Sequence, residues 1–395
     1  MHSTRRNVAM LSACQAMLMT NNSTLIAING LAGLALAPVK ALATLPVTCW
    51  VIGGALSTMQ ASLYMRRVGR RRGFATGTWV GIAGALGCAG AIWLQSFWLL
   101  CLGTLVFGVY NGFAQYYRFA AADASPPDYK ATAISLVLAG GLVGGILGPA
   151  VSRFTIDLLA PRFMAAYLAL IVFALVTLAL LSRLRIPDPG EAGRAASGRP
   201  LAEIAVQPKF IVAVAAGAIG YGVMNFLMTS TPIAMSVCGH PYGDTAFVIS
   251  AHVIAMFAPS FLTGPLVKRV GVLPLLAVGV VLNLAAIGIA LEGVAVANFW
   301  WSLVMLGVGW NFLYIGGTTL LTETYRPEER AQAQGANDSV IFIMMAMSSL
   351  ASGLIVTSGG WQKVNYAALP LVAVLGTAVI WLMLQARAAR RAAAT

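Results

Sequence analysis

Three ionisable side chains stand inside apolar sequence. Arg118 follows "GFAQYY", His252 lies in "VISAHVIAMF" and Asp338 lies in "GANDSVIFIMM". A bare charge in hydrocarbon costs on the order of 3 kcal/mol by insertion scales. A carboxyl or imidazole there is therefore neutralised, paired, or used to carry a proton. Asp338 and His252 are the candidates for proton coupling, each with a structural role as the alternative. Arg118 can bind an anionic group or extend its head to the membrane surface.

Amides and aromatic rings recur beside these groups at helical spacing. Gln15, Asn22 and Asn29 are seven apart. Asn111, Gln115 and Arg118 follow at i, i+4 and i+7, flanked by Tyr110, Tyr116 and Tyr117. Tyr221, Asn225 and Thr229 repeat that pattern, as do Asn311, Tyr314 and Thr318 beside Trp310. Such spacing puts side chains on one helix face, and polar faces in a membrane turn toward protein or a cavity. The expected substrate-binding set is Gln15, Asn22, Tyr110, Asn111, Gln115, Arg118, Tyr221, Asn225, Trp310, Asn311 and Tyr314. Helix-to-helix hydrogen bonding is the competing use of each amide. Tyr and Trp stack on flat rings while amides read their edges, so a polar, planar solute such as a riboflavin-type vitamin is one candidate. No phosphate-binding loop, nucleophile elbow or metal-ligand cluster occurs, so ATP hydrolysis, enzyme catalysis, a metal site and a cofactor are not expected. The five cysteines follow no metal or redox spacing.

The elements that position these residues are membrane helices. The chain is 59% hydrophobic and 9% charged, against about 25% charged in soluble domains. Twelve apolar runs lie between residues 8 and 386, each long enough to cross about 30 Å of hydrocarbon as a helix. The first is not a cleavable signal, since it is too long and carries "TNNS" in its middle. With the N-terminus in the cytoplasm, 21 of the 25 Lys and Arg fall on the cytoplasmic side, and only Lys40, Arg153, Arg162 and Lys363 lie outside. That bias places both termini in the cytoplasm of a multi-pass protein of the bacterial inner membrane. The net charge of +13 then faces lipid headgroups, not nucleic acid.

The sequence also repeats itself at half its length. "DASPPDYKA", from Asp123, returns as "ETYRPEERA", from Glu323. Tyr110-Asn111 returns as Trp310-Asn311, "RRVG" at Arg66 as "KRVG" at Lys268, and "LMT" at Leu18 as "LMT" at Leu227. Ordered matches at nearly constant offset point to duplication, and copies that begin on the same side form a parallel repeat. The expected organisation is a six-helix bundle over 1–182, a Pro-, Gly- and Arg-rich cytoplasmic linker over 183–208, and a second bundle over 209–395. The acid-Pro-acid-base segments then lead from the fourth helix of each bundle into the fifth.

On these features the chain resembles the major facilitator superfamily. The loop "SLYMRRVGRR" keeps Arg67, Gly69, Arg70 and Arg71 of that family's loop signature but has Ser62 for its Gly and Arg66 for its Asp. "GPLVKRVG" keeps Gly264, Arg269 and Gly271, with Lys268 for the Asp. "GGILGP", Gly144 to Pro149, is similar to part of the family's antiporter signature and equally suits close helix packing. The resemblance implies an all-α membrane protein of twelve transmembrane helices in two pseudo-symmetric six-helix bundles. It also implies gates at the cytoplasmic loops, for which Arg67, Arg70, Asp123, Arg269 and Glu323 are the candidates.

The reading is a secondary active transporter of a small organic solute working by alternating access, coupled to protons, monomeric and surrounded by membrane lipid. Drug or metabolite efflux by antiport, and uptake of a planar vitamin, stay open as directions. A membrane receptor or sensor is the alternative of another class. It would be expected to carry a soluble output domain, and none is visible.

Overall fold

Glycine and apolar side chains decide how the helices form and pack. In the computed structural model, residues 2–126, 130–184, 199–326 and 329–392 are described. The helices run in order α1 (His2–Leu36), α2 (Leu45–Val68), α3 (Arg70–Trp93), α4 (Phe97–Ala114), α5 (Tyr117–Asp123), α6 (Lys130–Thr155) and α7 (Met164–Ser182). After the short α8 (Leu201–Ala205) come α9 (Pro208–Val237), α10 (Tyr242–Phe257), α11 (Ser260–Val270), α12 (Val272–Glu292), α13 (Val296–Thr322) and α14 (Arg330–Ala392).

Ten helical segments of the described chain are long and apolar enough to cross a membrane. The last of them, Gln332–Ala389, has 58 residues, about 87 Å at 1.5 Å per residue. It breaks at Gly360, whose φ of 70° and ψ of −173° are not helical, and so makes two crossings. α1 adds another with its 35 residues; the amides at Gln15, Asn21, Asn22 and Asn29 lower its hydropathy. Twelve crossings result, as the apolar runs imply.

Contacts divide the chain into two compact units, Met1–Ala192 with Pro232–Val253, and Gly193–Thr231 with Ile254–Thr395. In the first, α1 lies along α6, α4 packs on α2 and α3, and α3 also meets α7. Absent side chains allow the close approaches. A Cβ on Gly53 would strike the Leu105 carbonyl, and one on Gly108 the Trp50 carbonyl. Along α6, Gly140, Gly144 and Gly148 face Ser12, Met19 and Ser23 of α1. The Thr24 hydroxyl donates across that seam to the Gly148 carbonyl at 3.0 Å. "GGILGP" therefore serves helix packing in this structure, the small-residue use that membranes favour. In the second unit α12 lies against α13 and α14, and Gly309 passes close to the Gly279 carbonyl.

The repeated "RVG" has a backbone reason. Gly69 between α2 and α3 holds φ 84° and ψ 157°, and Gly271 between α11 and α12 holds φ 89° and ψ 165°. Both are turns that an L side chain rarely adopts, so the duplicated loops need glycine at the same place.

Candidate functional site

In the first unit the expected polar stripe is partly reassigned. The helix is interrupted at Gln115 and Tyr116, between α4 and α5, in the middle of the Asn111–Gln115–Arg118 stripe. Asn22 of α1 donates from Nδ2 to Asn111 Oδ1 at 3.0 Å. Asn22 Oδ1 is buried without a partner among the described residues. Gln15 is half-buried and Gln115 exposed. Tyr110, expected in the lining, is fully buried. Its hydroxyl donates to Thr177 of α7 at 3.4 Å, and its ring fills the space over Gly81 of α3. It is a packing residue. Tyr116 is half-buried instead, with its hydroxyl on the Thr58 carbonyl at 3.1 Å and Arg70 over its ring at 5.9 Å. Arg118 lies 4.9 Å from the Phe119 ring centre. Its Nε is buried without a hydrogen-bond partner among the described residues.

The second unit gathers aromatic rings. Trp310 and Tyr314, one turn apart on α13, stack at 5.0 Å with planes 9° apart. Tyr221 of α9 meets both edge-on, at 5.1 Å and 5.5 Å. Phe257, at the end of α10, closes the group at 6.0 Å from Trp310. Trp310 is 4% exposed, whereas Tyr221 and Tyr314 are half-buried and offer ring surface. Phe257 was not legible as a member because apolar sequence surrounds it on every side.

Two amides expected in the lining are used for packing. Asn225 donates to the Met345 carbonyl and the Ser348 hydroxyl of α14, both at 3.0 Å. Asn311 donates to the Met256 carbonyl and the Ser260 hydroxyl at 2.7 Å each. It accepts from the Thr263 hydroxyl, also at 2.7 Å. With all three bonds made and 1% exposure, Asn311 pins α13 to α10 and α11.

Of the coupling candidates, His252 is fully buried. Asp338 is exposed, as are its neighbours Ser339 and Val340, and it accepts from Asn337 Nδ2 at 3.1 Å. Asp338 therefore lies within a spanning segment but, unlike His252, is not enclosed by its own unit.

Of the gate candidates, Arg67 and Arg269 are exposed, and the side chain of Asp123 lies outside the described residues. Glu323 pairs with Lys209 at 2.6 Å. A second, more buried ion pair in this region was not anticipated. Glu329 is buried and takes Arg199 Nε on Oε1 at 2.8 Å and Nη2 on Oε2 at 2.7 Å. The backbone N–H groups of Arg199 and Arg326 add bonds of 2.9 Å each. Arg199 and then the Arg326 N–H hold the Glu329 carboxyl well below the usual carboxylate range. The available signal was a break in the repeat: the first copy has Tyr129 where the second has Glu329.

The apolar crossings define a multi-pass membrane protein, and the relatives it matches are transporters. The chain belongs to the Major Facilitator Superfamily, whose family model matches residues 11–349 and again 246–395. It is 41% identical to the riboflavin transporter RfnT of Brucella anthropi, over 94% of each chain. It is 28% identical to YddS of Bacillus subtilis, an uncharacterized MFS-type transporter, over 86% of this chain and 82% of that one. Among solved structures, the nucleoside transporter NupG superposes with a TM-score of 0.75 at 15% identity, covering 94% of this chain and 98% of that one. The D-xylose-proton symporter gives 0.74 at 14%, covering 95% and 96%. These last two establish the twelve-helix, two-domain fold and nothing finer.

Proposed function

We propose that this protein is a secondary active transporter that takes up riboflavin, or a closely similar flat heterocyclic solute, and is driven by protons. The observation that carries the reading is the 41% identity to a riboflavin transporter across nearly the whole of both chains. The Tyr221–Trp310–Tyr314–Phe257 group supports it, because ring stacking suits a flat tricyclic solute. In this reading the halves are residues 1–182 and 209–395, joined by a cytoplasmic linker over 183–208, in a monomer of the inner membrane with both termini inside. Tyr221 and Tyr314 offer their rings to the ring system, with Trp310 backing Tyr314. Asn22, Asn111, Gln15 and Gln115 read polar edges, and Arg118 meets an anionic or strongly accepting group. Asp338 exchanges a proton, with His252 as the second candidate. Asp123, Glu323, Arg67, Arg70 and Arg269 belong to the cytoplasmic gate.

Uptake of radiolabelled riboflavin by a riboflavin-requiring bacterium that lacks its own importer tests both parts. Saturable uptake that collapses with a protonophore is expected. Membrane-inserted protein without riboflavin uptake overturns the substrate, and uptake indifferent to the protonophore overturns the coupling.

A further inference from the structure

A cavity of about 580 Å³ opens in the first unit, at the end of the helices remote from the Arg67–Arg72 turn. It lies where α1 and α3 finish and where the α6–α7 and α9–α10 connections pass. α3 starts at Arg70 and ends at Trp93, about 36 Å further along at 1.5 Å per residue. Ligand pockets commonly hold about 300–1,000 Å³, with apolar walls and a few placed polar groups. This one fits that description. Leu31, Leu34 and Ile92 supply apolar wall, while Gln95, Arg162 and His240 supply polar atoms.

Two features show that the polar groups are placed. Arg162 bonds Asp157 through Nε at 2.9 Å and lies 5.3 Å from the ring centre of Phe163, which also lines the cavity. Its Nη groups take no part in that bond. Gln95 uses its amide nitrogen on the Ile92 carbonyl at 2.7 Å, which leaves its oxygen as an acceptor. Moreover, Gln95 at φ 52° and Phe163 at φ 75° are the non-glycine residues of the described chain with positive φ, and both line this one cavity. Each such residue stores on the order of 1–3 kcal/mol of strain, and strain of that kind gathers at binding sites.

We propose that this cavity is a second solute site, which holds a flat heterocycle of the riboflavin class on the outer face, apart from the Tyr221–Trp310–Tyr314 group. Leu31, Leu34 and Phe163 cover the ring faces, and Arg162 and Gln95 bond its edge acceptors and N–H groups. The inference rests on the proposed transport of such a solute. The charge bias puts this end of the bundle outside, so the site faces incoming solute.

Cys238 supplies a native reporter. It is exposed, whereas Cys14, Cys88 and Cys101 are buried and Cys49 is half-buried. It also sits between the lining residues Ser236 and His240. In right-side-out vesicles carrying the full chain, riboflavin should slow the reaction of Cys238 with an impermeant maleimide. Leu34→Trp fills the cavity and should abolish that protection while raising the KM for riboflavin uptake about tenfold, equal to about 1.4 kcal/mol. Arg162→Ala, at an exposed side chain, should do the same in part and guards against misfolding of the first variant. Wild-type protection and KM in both variants would overturn the site, as would absence of protection in the native protein. Protection that Leu34→Trp removes, in a protein that does not transport riboflavin, would keep the site and overturn the transport reading instead.

Discussion

Replacing Tyr314 by Ala removes one half-buried ring from the aromatic group of the second unit, and the structure sets the size of the effect. Trp310 is almost wholly enclosed at 4% exposure, so Tyr314 presents the accessible face of their stack. A heterocycle resting on one aromatic ring gains about 1–3 kcal/mol, so Tyr314→Ala should weaken riboflavin binding by about 5- to 150-fold. The same substitution loses two ring–ring contacts within the protein, with Trp310 at 5.0 Å and Tyr221 at 5.5 Å. At about 0.5–1.5 kcal/mol each, unfolding should become easier by about 1–3 kcal/mol. Quenching of riboflavin fluorescence on titration with purified protein reads the first effect, and thermal unfolding in the same detergent reads the second. Tyr314→Phe keeps the ring and both contacts, so it should stay within about threefold of the native affinity, well under 1.4 kcal/mol. If Tyr314→Ala unfolds more easily yet binds riboflavin with native affinity, the ring serves packing alone and the stacking site lies elsewhere. A loss in Tyr314→Phe as large as in Tyr314→Ala would show that the hydroxyl, not the ring, makes the contact.

Three further outcomes are expected. Asp338→Asn should abolish gradient-driven accumulation of riboflavin while leaving counterflow exchange largely intact in proteoliposomes; native accumulation by this variant would move the coupling group to His252. The Arg199–Glu329 pair should make stability pH-dependent in a definite direction. Since the folded carboxyl is held below its ordinary value, its contribution is complete above about pH 4.3 and declines as the pH falls toward the lowered value. Glu329→Gln should therefore melt earlier at pH 7 and lose less than the native protein on acidification to pH 3; parallel melting curves at both pH values would contradict the assigned ion pair. Gly144→Ala should destabilise by about 1–3 kcal/mol through overpacking, because its Cβ would meet Met19 across the α1–α6 seam. Gly90→Ala, with nothing within 4 Å of the added carbon, should be neutral or stabilising by up to about 1 kcal/mol. Equal melting temperatures for the two variants would refute the packing role of the α6 glycines.

The architecture was legible in the linear chain because a membrane leaves few choices. Every backbone polar group must be satisfied within its own segment, so the apolar runs read directly as crossings, and the ordered matches from Leu18 to Glu323 read as a duplicated bundle. Gly69 and Gly271 were visible as repeated letters, although their positive φ emerged only from the folded turns. Helical spacing set Tyr314 one turn from Trp310, whereas the meeting of Tyr221 with both came only from helix packing. What spacing could not decide is the direction in which a polar face turns. Asn22, Asn111, Asn225 and Asn311 carry the same amide, yet Asn225 and Asn311 spend theirs between helices while Asn22 keeps an oxygen unpaired among the described residues. Which use prevails depends on how closely a neighbouring helix approaches, and that depends on glycines distant in sequence. Tyr110 turned inward because Gly81 left room for its ring, and Asp338 was left exposed on α14. Glu329 escaped notice because its partner Arg199 lies 130 residues away, a separation across which only tertiary folding brings charges together. The cavity beside Gln95 and Phe163 belongs wholly to that level: its walls come from four separate stretches of chain, none with a pattern of its own.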